Sequence, residues 1–111
     1  MFLIVMNYRY MRTILMFDLP METSAERKQY RKFLKFIKSQ GFIMMQKSVY
    51  VKLNINNSGL DSQKKLINQN LPPNGFISIL NITEKQFQTI ENLIGESMSL
   101  VLDDDQRYIE L

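Results

Sequence analysis

The run Ile14-Leu15-Met16-Phe17 constrains this chain more than any other segment. Consecutive apolar residues, halted at once by Asp18-Leu19-Pro20, do not alternate as a half-solvated strand does. They read as the end of a central strand over residues 12–17 that is buried on both faces. Such a strand needs neighbours on either side and layers above and below, so the rest of the chain has to supply more strands and a helical layer. The 111 residues leave room for one domain. A domain of this size buries roughly two-thirds of the surface its unfolded chain exposes, enough for a core without covalent staples.

The segments that follow supply those layers. Thr23 and Glu26 have capping-box spacing, and Tyr30, Phe33, Leu34 and Ile37 then recur at helical spacing before Gly41, a left-handed terminator. Residues 42–53 read as strand, with Val49, Val51 and Leu53 on one face and Ser48, Tyr50 and Lys52 on the other. Gln46-Lys47 breaks the pattern and predicts a bulge or tight turn dividing this stretch in two. Residues 54–59 are a loop by composition, and residues 60–71 form a second helix closed by Pro72-Pro73. Residues 75–82 are a further apolar strand. Thr83 and Gln86 repeat the capping-box spacing, and Phe87, Ile90, Leu93 and Ile94 predict a short third helix ending at Gly95. Residues 98–102 and 107–111 read as short terminal strands around Asp103-Asp104-Asp105.

The order is strand, helix, two strands, helix, strand and an appendage. This is the α+β, ferredoxin-like βαββαβ arrangement with a C-terminal helix/strand appendage, an antiparallel sheet carrying both main helices on one face. The other sheet face is expected to carry Met44, Ser48 and Tyr50 and has to be covered or left wet. A second copy of the chain is the simplest cover, which motivates a homodimer.

Composition narrows the chemistry. The chain has no Cys and no His, which excludes disulfides, thiol nucleophiles, Cys/His zinc sites and imidazole bases. Carboxylates, hydroxyls, Lys, Arg and Tyr remain, and the metal they favour is a hard cation such as Mg²⁺. No apolar run reaches the length of a membrane span. The apolar residues 2–6 have no basic region before them and do not read as a secretory signal, so the expected location is cytoplasmic. Residues 1–10 are read as an N-terminal extension, either a strand lead-in or the product of an alternative start at Met6 or Met11, and residues 11–111 as the single domain. Charge is divided along the chain. Residues 1–60 hold ten Lys and Arg against three acids, and residues 61–111 hold four against eight. That asymmetry suggests a polyanion-facing surface and a separate acidic one, or ordinary solvated charge.

The predicted first helix concentrates the positive charge. Arg27, Arg31, Lys35 and Lys38 form a stripe at i, i+4, i+8 and i+11, widened by Lys28 and Lys32 and set away from the apolar face. Like charges at i,i+4 repel by a few tenths of a kcal/mol per pair. A phosphate backbone would offset that repulsion through counterion release without reading bases; a solvated amphipathic face is the alternative. Asp18 closes the first strand. Alone it fits an Asx-type turn before Pro20. Joined by a second Asp18 across a two-fold axis, it is a candidate Mg²⁺ ligand and catalytic residue. Gln46, Ser48 and Tyr50 read as edge or interface hydrogen-bonding groups. The three consecutive acids at 103–105 point in different directions and lack EF-hand spacing, so they read as solvated. No dinucleotide fingerprint, Walker loop or zinc spacing occurs.

Taken together, Ile14-Leu15-Met16-Phe17-Asp18-Leu19-Pro20, Arg27-Lys28-Gln29-Tyr30-Arg31-Lys32-Phe33, Gly41-Phe42-Ile43-Met44-Met45-Gln46-Lys47-Ser48-Val49-Tyr50 and Thr83-Glu84-Lys85-Gln86-Phe87 strongly resemble the CRISPR-associated Cas-two family, in the branch found with type II systems. The resemblance runs from Arg12 to Leu111. It implies a ferredoxin-like homodimer that works with the Cas-one integrase in spacer acquisition, supporting the middle of a captured duplex DNA (the prespacer) between two integrase dimers. It also implies a Mg²⁺-dependent nuclease activity on RNA or DNA, whose first-strand ligand maps onto Asp18. The C-terminal strand of the family packs against the neighbouring subunit or the integrase, a place that residues 107–111 fit.

The leading expectation is therefore a nucleic-acid-binding scaffold of spacer acquisition, with Arg27, Lys28, Arg31, Lys32, Lys35 and Lys38 touching the backbone. The second is a Mg²⁺-dependent endonuclease using paired Asp18. A small-ligand regulatory domain with a pocket at the dimer seam is the third.

Overall fold

The computed structural model describes residues 10–95. Four strands and three helices follow in the order β1 (Met11–Asp18), α1 (Ser24–Ser39), β2 (Ile43–Gln46), β3 (Val49–Asn54), α2 (Leu60–Asn68), β4 (Phe76–Thr83) and α3 (Glu84–Phe87). The strands form one sheet in the order β2-β3-β1-β4, with every neighbouring pair antiparallel. This is the expected ferredoxin-like α+β arrangement. The expected terminal strands and the acidic turn at 103–105 lie outside the described residues, as do residues 1–9.

β1 is central, as its apolar run requires, and its alternation separates two environments. Leu15 and Phe17 join Tyr50, Phe33 and Ile37 of α1 and Ile67 of α2 in the main core, with Ile77 and Ile79 of β4 packed against it. Both main helices therefore cover one face. Phe17 is the hub, meeting Tyr30 and Phe33 edge-on with ring centroids 6.0 Å apart and stacking on Tyr50 at 5.9 Å. Fully burying side chains of this size stabilises the fold by roughly 1.5–3 kcal/mol each.

Local signals set the helix ends. The Thr23 side chain accepts from the Glu26 amide, and the Glu26 carboxylate accepts from the Thr23 amide, so the expected capping box is formed. Gly41 takes a φ of +96° just past the helix, as a left-handed terminator should. α2 ends at Asn68 rather than residue 71. Leu71 precedes Pro72, a position whose sterics disfavour helix, and the Asn70 side chain bonds back to the Leu66 carbonyl at 2.9 Å.

The predicted break at Gln46-Lys47 is present as two features. The β2–β3 register shifts between Met44 and Gln46, and a tight turn follows in which Ser48 has a φ of 66°.

Two expectations are corrected. Tyr50 does not lie on the open face. It pairs in register with Leu15 and is buried under the helices, whereas Val51 pairs with Ile14 and faces the other way. Met44 lies opposite Tyr50 and shares its side of the sheet. Alternation identifies two faces without saying which one the helices cover, and here both carry apolar residues. The third helix is also shorter than expected. Its capping box forms between Thr83 and Gln86, but the helix ends at Phe87 instead of running to Gly95. Phe87 joins Ile14 and Val51 in a second, smaller core, while Leu93 and Ile94 are 89% and 95% exposed.

Candidate nucleic-acid interface

The capping box fixes where α1 begins, and burial of Phe33 and Ile37 fixes which side faces the sheet. Arg27, Lys28, Arg31, Lys32, Lys35 and Lys38 then all fall on the exposed side. The stripe foreseen from spacing is thus one continuous basic surface. Arg27 is partly engaged, since its Nη1 donates to the carbonyls of Met21 at 3.1 Å and Glu22 at 2.9 Å, tying down the loop that enters the helix. Among the described residues none of these six side chains forms an ion pair; the one that occurs joins Arg12 to Glu84.

Asp18 is exposed, at the last position of β1. By alternation it shares the face of Ile14 and Met16, opposite the face that α1 covers. Its cross-strand partner is Phe76, which is 76% exposed, and Leu80 of β4 and Met16 beside it are also open at 50% and 37%. The structure therefore does not bring the two sets of expected site residues together. The basic stripe lies on the outside of the helical layer and the carboxylate on the far side of the sheet.

Among the described residues no three acidic side chains gather as a metal site. Asp18 itself supplies one hard oxygen ligand group, which suits Mg²⁺, an ion held by one or two carboxylates with water completing the octahedron. The chemistry of the donor fits, provided a second chain contributes its own Asp18.

Gln46 and Lys47 are exposed, and Ser48 is half-buried in the β2–β3 turn. The Ser48 carbonyl accepts from the Phe17 amide at 3.1 Å, so the turn is fastened beside the end of β1.

Sequence reasoning missed a buried polar device on the Asp18 side of the sheet. Arg12 and Glu84, 5% and 0% exposed, form an ion pair in which Arg12 Nη2 lies 3.2 Å from Glu84 Oε2. The guanidinium carbon sits 4.5 Å from the centre of the Phe87 ring, and Gln88 Nε2 donates to the same carboxylate at 3.1 Å. Together these hold α3 against the sheet. A Glu in the first turn of a capped helix is ordinarily solvated, so nothing in the local pattern marked this one. Thr13 is the other omission. Its hydroxyl accepts from Asn54 Nδ2 at 2.8 Å and Gln63 Nε2 at 2.9 Å, linking β3 and α2 through β1.

With this geometry in place, the comparison with known proteins is decisive. The model of the family described as CRISPR associated protein Cas2 matches residues 11–90. The chain belongs to the Cas2 family. It is 46% identical over 101 residues to a protein of Treponema denticola named CRISPR-associated endoribonuclease Cas2, with 91% of this chain and 100% of that protein covered. A protein of the same name from Streptococcus mutans serotype c is 48% identical over 101 residues, covering 91% of this chain and 93% of its own. Another, from Ligilactobacillus salivarius, is 43% identical, with 91% and 100% covered. The family match spans both β1 with Asp18 and the whole of α1. No helix among the described residues is long and apolar enough to cross a membrane.

Proposed function

We propose that this Cas2-family chain is a nucleic-acid-binding scaffold of CRISPR spacer acquisition, a homodimer that holds captured duplex DNA between Cas-one integrase dimers. The observation that carries the reading is the exposed basic surface of α1, which forms no ion pair among the described residues. A surface of this kind grips phosphates at any sequence, which suits a support that must accept arbitrary DNA. The incompletely covered sheet face, with Met16, Leu80 and Phe76 exposed, supports the second copy.

A second reading is a Mg²⁺-dependent phosphodiesterase, supported by the word endoribonuclease in the relatives' names and by the exposed Asp18. Asp18 of each chain would hold the ion at the two-fold axis. When bound there, the metal would lower the pKa of a water ligand and polarise a phosphodiester. The chain's own contribution is to present both carboxylates from the ends of rigid central strands. The absence of His leaves carboxylates and Tyr as its candidate bases.

Asp18→Ala separates the two readings in a reconstituted reaction with integrase, duplex and CRISPR array. Integration that continues while RNA and DNA cleavage disappears supports the scaffold. Integration that stops, although the complex still assembles, supports a working metal site.

A further inference from the structure

Gly75 approaches the end of β1 so closely that it leaves no room for a side chain. Its φ is +109°, a left-handed value suited to glycine. A Cβ at this position would stand 2.6 Å from Leu19 Cδ2, 2.8 Å from the Asp18 carbonyl oxygen and 3.2 Å from Leu19 Cα. The Leu19 methyl can swing aside, but the other two atoms are backbone and can yield only if the strand end moves. On the opposite side, the Phe17 amide is bonded to the carbonyl of Ser48, itself left-handed at 66°. The end of β1 thus lies between two turns, one entering each strand that flanks it.

We propose that Gly75 is a positioning residue for the Asp18 carboxylate. By omitting a side chain it lets the turn before β4 close against the Asp18 backbone, and this sets where the carboxylate is presented. The inference rests on the reading of Asp18 as half of a shared Mg²⁺ site. A displacement in one chain is repeated in the other by symmetry, so a small shift changes the separation of the two carboxylates twice over. Mg²⁺ demands near-ideal geometry, with ligand distances of about 2.0–2.1 Å, and tolerates such a change poorly.

The competing explanation is that Gly75 serves only the turn. Gly41 supplies a control for it. Its φ is +96°, yet a Cβ there meets only the flexible Lys52 side chain, at 3.6 Å and 3.9 Å. Gly41→Ala and Gly75→Ala carry the same kind of left-handed strain, and only the second presses on Asp18.

Mn²⁺, a paramagnetic substitute for Mg²⁺, can be titrated into the purified full-length dimer and read by electron paramagnetic resonance. Dimer mass is checked by light scattering. The expected pattern is binding by the wild type and by Gly41→Ala, loss in Asp18→Asn, and binding weakened about tenfold or more in Gly75→Ala. Leu19→Val combined with Gly75→Ala removes the methyl that the new Cβ strikes while leaving the clash with the Asp18 carbonyl, so it should stay weak. That double variant carries the comparison if Gly75→Ala alone does not fold. Wild-type affinity in the glycine variant, with loss in Asp18→Asn, overturns the role of Gly75 and leaves the paired carboxylates standing. Binding that is absent from the wild type, or retained in Asp18→Asn, overturns the metal site itself and this inference with it.

Discussion

The two faces of the sheet bury their apolar residues by different means. On one, α1 and α2 seal Leu15, Phe17 and Tyr50 beneath Phe33, Ile37 and Ile67. On the other, the four-residue α3 covers Ile14 and Val51 and is fastened by the Arg12–Glu84 pair. Toward the Asp18 end of that second face, Met16, Leu80 and Phe76 remain open. The first face is sealed by two long helices and holds the larger of the two cores. The second has cover at one end and an apolar, carboxylate-bearing surface at the other. On the proposed reading a second copy completes it, while the basic outer side of α1 stays free for DNA.

Mutations on the two faces should therefore fail in different ways. Phe33→Ala, in the helix-covered core, should lower the free energy of unfolding by about 3–5 kcal/mol, read from urea denaturation. A loss below about 1 kcal/mol would mean that the helix side is not the main core. Glu84→Ala breaks a buried ion pair by removing one of its members, so a loss on the order of 3 kcal/mol is expected. The simultaneous replacement of Arg12 and Glu84 by Leu should recover much of it. A double variant as unstable as the single one would show that α3 is held by something else.

On the open side, Leu80→Asp should change the folding of the isolated chain by less than about 0.5 kcal/mol. Its consequence should be dissociation. Sedimentation would show the mass of one chain, and the urea midpoint would lose its dependence on protein concentration. A Leu80→Asp protein that remains dimeric would place the second copy elsewhere and separate the two Asp18 carboxylates.

The same contrast between faces explains which features are legible in the sequence. Those that depend on near neighbours are: both capping boxes, the left-handed Gly41, the interruption at Gln46-Lys47 and the basic stripe on α1. The apolar run at residues 14–17 correctly marks the central strand, although Met16 is more exposed than burial on both faces would allow. Features that depend on which face receives the helices are not legible. Spacing puts Tyr50 on the open side because its neighbours Val49 and Val51 look like the core set. Apolar residues occupy both sides, and only the pairing of Leu15 with Tyr50 decides between them. The Arg12–Glu84 pair is hidden for a related reason, since its members are 72 positions apart and meet only once β1 and β4 are adjacent.

For the candidate site, the residue types at 18 and along α1 are apparent from sequence, and their separation onto opposite sides of the molecule is not. Gly75 is similar. Its close approach to Asp18 follows from the pairing of Asp18 with Phe76, a register that sequence spacing does not specify.

The central claim is that the outer surface of α1 binds the phosphate backbone. Its most direct test is the salt dependence of binding to a fluorescently labelled duplex, measured by anisotropy for the wild type and for a variant with Arg31, Lys32, Lys35 and Lys38 all changed to Gln. The plot of log affinity against log salt should become shallower by about 0.9 for each phosphate that is no longer neutralised, with affinity falling alike for unrelated duplex sequences. An unchanged slope and affinity in the variant would contradict the claim.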